Sequence, residues 1–408
     1  MTESEEIRKN RQNGQVKFTV LKRRNSKTKI QHAADNTLLV LDSIDDPRTG
    51  HCDYPLREIL FIAAIAYLCD AESNEDIATF GRAQIKWFRQ FIPLENGIPS
   101  HDTFRRVFML LKPQALDEMY KEMFRELYVG KRGKHLAIDG KVSRGCYHVK
   151  GQSLLNMVSA YDTETGISLC HAPTKNDEGK DVGEFNAIPK VIEQLDIEDK
   201  LVTIDAGGCY VEITDVILDN GGSYAITLKE NQPTLHKIAK ETFDRHEQND
   251  FADVASYREE DRGHGRVEER TYYAVPVPSD DERLEKWSGL STFVMGRFRR
   301  SVKGKEEKET IRYYISSLPY TEVERLGQSL RSHWGIENGL HWVLDVSFDE
   351  DGNRTREGNG AENLSIVRRL ALGMLQQVKG GKTVANAKYR CAVDPEFRTT
   401  VVKKFLMR

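Results

Sequence analysis

The sequence is poor in the features that secreted and membrane proteins need. Cysteine is scarce and scattered: Cys52, Cys69, Cys146, Cys170, Cys209 and Cys391 are the only ones in 408 residues, and no two form C-x-x-C. That excludes the usual zinc spacings and argues against a disulfide framework in so long a chain. Long hydrophobic runs are missing too. The longest, Ile59 to Cys69, has 11 residues, whereas a membrane span needs about 20. Met1 to Asn13 is polar and charged, and no apolar segment follows it, so no secretory leader is expected. These absences predict a reduced, cytoplasmic protein with no membrane partner. There is also no large excess of charge of one sign. Against 63 Asp+Glu stand 60 Lys+Arg, a net charge of −3, which weighs against indiscriminate coating of nucleic acid.

What is present is a folded composition, 39% hydrophobic and 30% charged, with length enough for two to three domains and a real core. The charge is segregated. Residues 1–30 carry nine basic and three acidic side chains, residues 379–408 carry eight and two, and the remainder is left at −15. Basic ends suit a polyanion, though solvated, solubilising tails have the same composition. We expect a basic flexible tail over 1–34 and another over 379–408.

Between them, Leu56, Ile59, Leu60 and Ala63 recur at helical spacing. Ser73-Asn74 precedes a second helix over about Glu75 to Phe91, with Arg82, Lys86 and Arg89 on one face. Pro99-Ser100-His101-Asp102 opens a third helix through Arg105 and Arg106. Short capped helices with a basic third member suit a helix-turn-helix-like DNA module over 35–130. A helical bundle with a solvated basic rim fits equally.

From His135 the character changes. His135 to Gly140 is an apolar run ending in Asp-Gly, and Leu154–Tyr161 and Ile167–Ala172 read as further strands. A helix over Glu184–Leu195, a strand over Leu201–Asp205, a helix over Tyr210–Leu218 and a strand over Ser223–Leu228 follow. Strands in series and then alternation predict an α/β fold with a mixed sheet over 131–378. A highly charged, β-rich insertion interrupts it at about 230–318, and helices return over Thr321–Val346 and Glu362–Val378.

Asp139 and Asp205 each end a strand, where open α/β sheets build their sites. Carboxylates converging there need compensation, and hard oxygen ligands suit Mg²⁺ or Mn²⁺. Strand-ending Asp residues that only start turns are the alternative. His333, Glu337 and His341 lie at i, i+4 and i+8, with Asp345 extending the stripe. Glu337 fits a third carboxylate. A transition-metal set of His333, Glu337 and His341 also fits, although H-E-x-x-H is absent. Lys229, after a strand, and Arg266 and Arg270, alternating with Glu268 after a Gly263-His264-Gly265 turn, are candidates for phosphate. Cross-strand ion pairs would explain the same alternation.

The ordered strings AIDGK (137–141), TIDAGGC (203–209), LKENQ (228–232), GHGRVEER (263–270) and HWGIENGLHWVLDVSFDED (333–351), with NGIPSHDTFRRVF (96–108) and AENLSIVRRLAL (361–372), resemble the H-repeat-associated insertion-sequence transposases of the DDE class. The resemblance covers most of 35–400. It implies an RNase H-like core with Asp139, Asp205 and Glu337 as the catalytic acids, holding two Mg²⁺ (or Mn²⁺). It also implies binding of double-stranded DNA at terminal inverted repeats, cleavage there, and attack of the freed 3′-hydroxyl on target DNA. The work would be done by a homodimer in a bacterial cytoplasm, nucleoid-associated when bound. Lys229, Arg266, Arg270, Arg82, Lys86, Arg105, Arg106 and His333 are the expected DNA contacts. The broader group's Tyr-x2-Arg-x3-Glu-x6-Lys pattern is replaced by Leu330, His333, Glu337 and Leu344. A catalytically decayed or domesticated DNA-binding descendant is the alternative function. A small-substrate zinc hydrolase using His333, Glu337 and His341 is a third.

Overall fold

A computed structural model of the chain describes residues 41–42, 44–124, 135–145, 154–176, 180–263, 265–302, 305–306 and 309–406. The expected tail over 1–34 and His264 lie outside the described residues.

The first helix, α1 (Leu56–Leu68), is apolar on every side and buried along almost its whole length. Its one acid, Glu58, is buried and accepts the Leu94 amide. Helix α2 (Asn74–Ala83) starts from a reciprocal capping box between Ser73 and Asp76. The single helix expected over 75–91 breaks at Gln84, and α3 (Ile85–Phe88) follows as one turn. Helix α4 (His101–Leu110) is capped by Ser100, whose hydroxyl accepts the Thr103 amide, and α5 (Pro113–Met123) begins on proline.

The sheet begins with β1 (His135–Ser143), β2 (Leu155–Asp162) and β3 (Ile167–Pro173), an antiparallel meander. Helix α6 (Glu184–Ile192) crosses to β4 (Leu201–Ile204), which pairs parallel with β1. Helix α7 (Val211–Asp219) then leads to β5 (Ser223–Leu228), parallel to β4. The order β3-β2-β1-β4-β5, with three antiparallel and then parallel strands, is an RNase H-like core.

The insertion starts with a long helix, α8 (Pro233–Glu247). It then gives β6 (Ala255–Gly263), β7 (Arg266–Pro276), β8 (Thr292–Val302), β9 (Lys305–Glu306) and β10 (Thr310–Ser316). These do not form a separate lobe. Strand β10 pairs antiparallel with β5, so the order runs on as β10-β8-β7-β6, with β9 on β8, into one sheet of ten strands among the described residues. The charged sequence reflects long cross-strand ion-pair ladders, such as Arg258–Glu269 at 2.7 Å.

The late helices are α9 (Val323–Ser332), a turn at Trp334–Ile336, a five-residue π turn at Glu337–His341, and α10 (Trp342–Phe348). Strand alternation divides the sheet's packing. Val202, Ile204, Tyr224 and Ile226 face α6 and α7, and Leu201 and Ala225 face α9. Helix α11 (Gly360–Gln376) is buried at every residue from Asn363 to Leu375 and packs against α1, α4, α5 and β3. The N-terminal helices and the sheet therefore share one core.

The basic C-terminal segment is not a tail. Its residues fold as α12 (Val384–Val393), capped by Thr383, and α13 (Pro395–Leu406). Arg398 is fully buried, with its guanidinium 4.4 Å over the Trp87 ring and a 2.7 Å hydrogen bond to Gln84 Oε1. Lys388 is buried too and pairs with Asp70 at 2.9 Å. The basic composition does not make the segment a solvated tail, because its helices pack on the core and two of its cations, Lys388 and Arg398, are taken up internally by an acid and by aromatic faces. No helix among the described residues is long and apolar enough to cross a membrane.

The heaviest electrostatic cost lies at α11. Arg369 and Glu350 are each 1% exposed and lie 3.0 Å apart, and Ser365 donates to the same Glu350 oxygen. Removing one partner strands a buried charge. Glu350→Ala should lower unfolding free energy in urea by about 3–5 kcal/mol, and Glu350→Leu combined with Arg369→Met should recover most of it.

Candidate active site

Strand β1 carries His135, Ala137, Asp139 and Lys141 on one face. The β1–β4 register sets Ile138 beside Ile204, so Asp139 and Asp205 emerge as neighbours from the two central strands. Asp205 then caps a 3₁₀ turn of small residues, Ala206–Gly208, its Oδ1 accepting the Gly207 amide at 2.8 Å. The LKENQ string holds that turn from below. Asn231 donates to the Ala206 carbonyl and Gln232 to the Cys209 carbonyl, each at 2.8 Å.

Glu337 arrives from the other layer, at the start of the π turn. Such wide turns concentrate at functional sites. This one accommodates the Tyr161 hydroxyl, which a Cβ at Gly339 would overlap. His341, at the end of the turn, is 7% exposed, and its Nδ1 lies 3.6 Å from both Asp139 Oδ2 and Glu337 Oε2. One ligand atom from each of Asp139, Glu337 and His341 falls within 4.8 Å of the others. The same holds for Asp139, Asp205 and Glu184, the first residue of α6. Asp139 belongs to both groups.

Sequence reasoning noted Glu184 only as the start of a helix. The local signal was slight: Gly140 follows Asp139, and any Cβ there would overlap the Glu184 carboxylate. His341 was considered only alongside His333, and that trio does not form a three-ligand group among the described residues. His333 is committed elsewhere. Its Nδ1 lies 2.9 Å from Thr203 Oγ1, which lies 2.7 Å from His135 Nε2, and His135 Nδ1 lies 2.9 Å from Thr163 Oγ1. Burial drives both rings down, His333 to about 4 and His135 to about 3, so the chain is neutral above pH 5.

The acids are not compensated by bases. No Lys or Arg among the described residues pairs with Asp139, Asp205 or Glu184. Burial, then Asp205 and Glu337, push Asp139 up to about 8. Glu337 is pulled down to about 2 by its hydrogen bond with His341, against burial, with Asp139 as a further donor. One proton is thus held on the more buried acid of the pair. Burial also raises Glu184. Oxygen donors in this number, crowded and short of positive charge, fit a hard divalent ion such as Mg²⁺ or Mn²⁺.

The expected DNA contacts scatter. Lys229 is exposed just after β5, near the carboxyl ends of the central strands. Arg82, Lys86 and Arg106 are exposed on the N-terminal helices, whereas Arg105 pairs with Glu357 at 2.5 Å. Arg266 is exposed and 3.8 Å from Glu268. Arg270 differs: it is buried and paired with Glu259 at 3.2 Å and with Glu268. The alternating Arg and Glu residues thus pair along β7, and Arg270 also pairs across to β6, so its guanidinium is not offered to a phosphate.

An RNase H-like sheet with acids gathered at its central strands defines a class of protein built for phosphodiester chemistry. Residues 130–374 match the family described as transposase DDE domain, and residues 38–123 match the companion family described as DDE_Tnp_1-associated. The Escherichia coli K12 protein YbfL is 35% identical over 358 residues, 86% of this chain and 93% of its own length. YhhI of the same organism, an H repeat-associated protein named as a transposase, is 34% identical over 366 residues, 88% of this chain and 95% of its own. A solved piggyBac transposase synaptic complex with hairpin DNA aligns over 94% of this chain and 79% of its own at 11% identity and a TM-score of 0.40, too distant to add to the topology. The chain belongs to the DDE transposase family, in its H repeat-associated group.

A raised Asp139 has a consequence for folding. Between the ordinary carboxylate range and about 8 the folded, metal-free chain binds more protons than the unfolded chain. Stability contributed by this group is therefore lost as pH rises through that window, by at most about 6 kcal/mol. Glu337 acts in the opposite sense, its contribution vanishing as pH falls toward about 2. In EDTA, Tm should fall from pH 5 to pH 8.5, and Asp139→Asn should flatten that fall.

Proposed function

We propose that the chain is an active DNA transposase that binds terminal inverted repeats, cuts at their ends and joins the freed 3′-hydroxyl to target DNA. The observation that carries this reading is the position of Asp139, shared by two candidate ligand sets in a chain with a transposase DDE domain. Asp139, Asp205 and Glu337 are the residues that would hold the divalent ions. Mg²⁺ or Mn²⁺, when bound, neutralises charge developing on the phosphate and makes water or a 3′-hydroxyl a better nucleophile.

The protein's own part is positioning. Asp139 is fixed on a central strand, with its Oδ1 accepting the Gly140 amide at 2.9 Å. Lys141, two residues on, pairs with Asp345 at 2.5 Å and so fastens β1 to the helix that follows Glu337. The His135–Thr203–His333 chain ties together the three elements that bear Asp139, Asp205 and Glu337. His341 lies between Asp139 and Glu337, its Nδ1 3.6 Å from a carboxylate oxygen of each. Catalysis of this kind draws on orientation and preorganised charge.

The N-terminal helices within 35–130, with Arg82, Lys86 and Arg106 exposed, form the surface for the repeat ends. Lys229, near the strand ends that carry the acids, and Arg266, in the insertion, are assigned to phosphates of the transposon end. A homodimer would hold two ends together.

Asp139→Asn should abolish Mg²⁺-dependent cleavage of an end-containing duplex while leaving end binding in a gel-shift assay intact; cleavage by this variant would remove the assignment. Lys229→Ala should weaken end binding and reduce the slope of log K against log salt by about 1, read by fluorescence titration.

A further inference from the structure

We propose that Glu184 is a fourth carboxylate of the metal centre, holding with Asp205 the ion on one side of Asp139, while Glu337 serves the other. This rests on the reading of the site as a divalent-cation centre and extends it to a residue outside the acid triad.

Glu184 enters from the layer opposite Glu337. It opens α6 directly after Gly183 and receives a hydrogen bond from Asn156 Nδ2 of β2 at 3.3 Å. Its ligand oxygen lies within 4.8 Å of those of Asp139 and Asp205. The backbone is cut away around it on two sides. A Cβ at Gly140 would overlap the Glu184 carboxylate, and a Cβ at Gly207 would lie 3.0 Å from Asp205 Oδ1 and 3.6 Å from Glu184 Oε2.

A second observation comes from across the cluster. His341 is 7% exposed, and its Nδ1 faces Asp139 from 3.6 Å. Its Nε2 is buried with no hydrogen-bond partner. The ring is held at Nδ1 by the acids on the Glu337 side of the cluster, and its buried Nε2 is left without the partner that a buried polar atom ordinarily has.

Charge supports the count. Two divalent ions carry four positive charges, and Asp139, Asp205, Glu337 and Glu184 supply four negative ones. Asp139 belongs to both groups, with Asp205 and Glu184 on one side of it and Glu337 with His341 on the other. The competing role for Glu184 is structural: an acid at a helix N-terminus, hydrogen bonded to Asn156. That role predicts loss of metal-free stability and no change in ion binding.

The test is Mn²⁺ binding to the full-length chain without DNA, followed by electron paramagnetic resonance and calorimetry, with melting in EDTA as the folding control. The wild type should bind two ions. Glu184→Gln should weaken one of them by about tenfold or more, a scale on which even outer-sphere partners act, with metal-free Tm unchanged or raised. Gly140→Ala retains all four acids and displaces Glu184, so it should weaken the same ion; it decides the matter if Glu184→Gln does not fold. Asp139→Asn should lose both ions. If Glu184→Gln and Gly140→Ala bind two ions as the wild type does while Asp139→Asn binds none, the role of Glu184 is overturned and the metal centre stands. If Asp139→Asn also keeps both ions, the metal centre itself is refuted.

Discussion

Like charges held against one another midway along β1, where its pairing with β4 stops, are the constraint on which the rest of the structure depends. Ligand atoms of Asp139, Asp205 and Glu184 lie within 4.8 Å of one another, a repulsion on the order of 3 kcal/mol per ionised pair at an effective dielectric near 20. A chain that gathers such groups must hold them by contacts elsewhere. The Lys141–Asp345 pair, the His135–Thr203–His333 chain and the Asn231 and Gln232 hydrogen bonds all serve that end. Each joins an acid-bearing element to another element, and none neutralises Asp139, Asp205 or Glu184. The site is therefore stiff and short of positive charge, a state that a cation completes.

The same economy governs the core. Helix α11 is covered on both sides, by the N-terminal helices and by the edge of the sheet at β3. It carries Arg368 and Arg369 into the interior, where Tyr67, Glu350 and the Phe348 carbonyl receive them. Buried pairs of this kind are costly to form and costly to break. Their effect is to fix how the N-terminal helices and the acid-bearing strands sit relative to one another. Arg398 over Trp87 and Lys388 against Asp70 extend that framework to the C-terminal helices. Two of the basic side chains at the C-terminal end are thus spent inside the protein, and a sum over the chain does not separate them from those its surface offers to DNA.

Much of this was legible from local pattern. Ser100 before His101, Ser73 before Asn74, and the apolar runs of β4 and β5 marked their elements within a residue or two, because capping and burial periodicity belong to neighbouring residues; β1 began where expected but runs three residues past Gly140, to Ser143. Other features were not. Gln84 breaks α2 from α3 and receives a hydrogen bond from Arg398, more than 300 residues away. The insertion read as β-rich, but nothing local could say that β10 would pair with β5. Arg270 alternated with Glu268 as a DNA-facing strand would, and only its partner on β6, Glu259, makes it an internal ion pair.

The sequence by itself determined the mixed α/β class, the order of the core elements up to β5, and Asp205 as the residue that follows a strand. These follow from contiguous side chains and their periodicity. Asp139, read as a strand end, lies inside β1, which continues in its pairing with β2 to Ser143. It also held an ordered set of motifs whose likeness to transposases the family matches bear out. Only the tertiary structure decided which groups meet. Asp139 lies 45 residues before Glu184, 66 before Asp205 and 198 before Glu337, so their approach depends on strand pairing and on layers packed from opposite faces. Glu184 reaches Asp139 because α6 crosses one face and Gly140 leaves space for its carboxylate. His341 reaches the same acid from the other face, because a π turn carries its ring there.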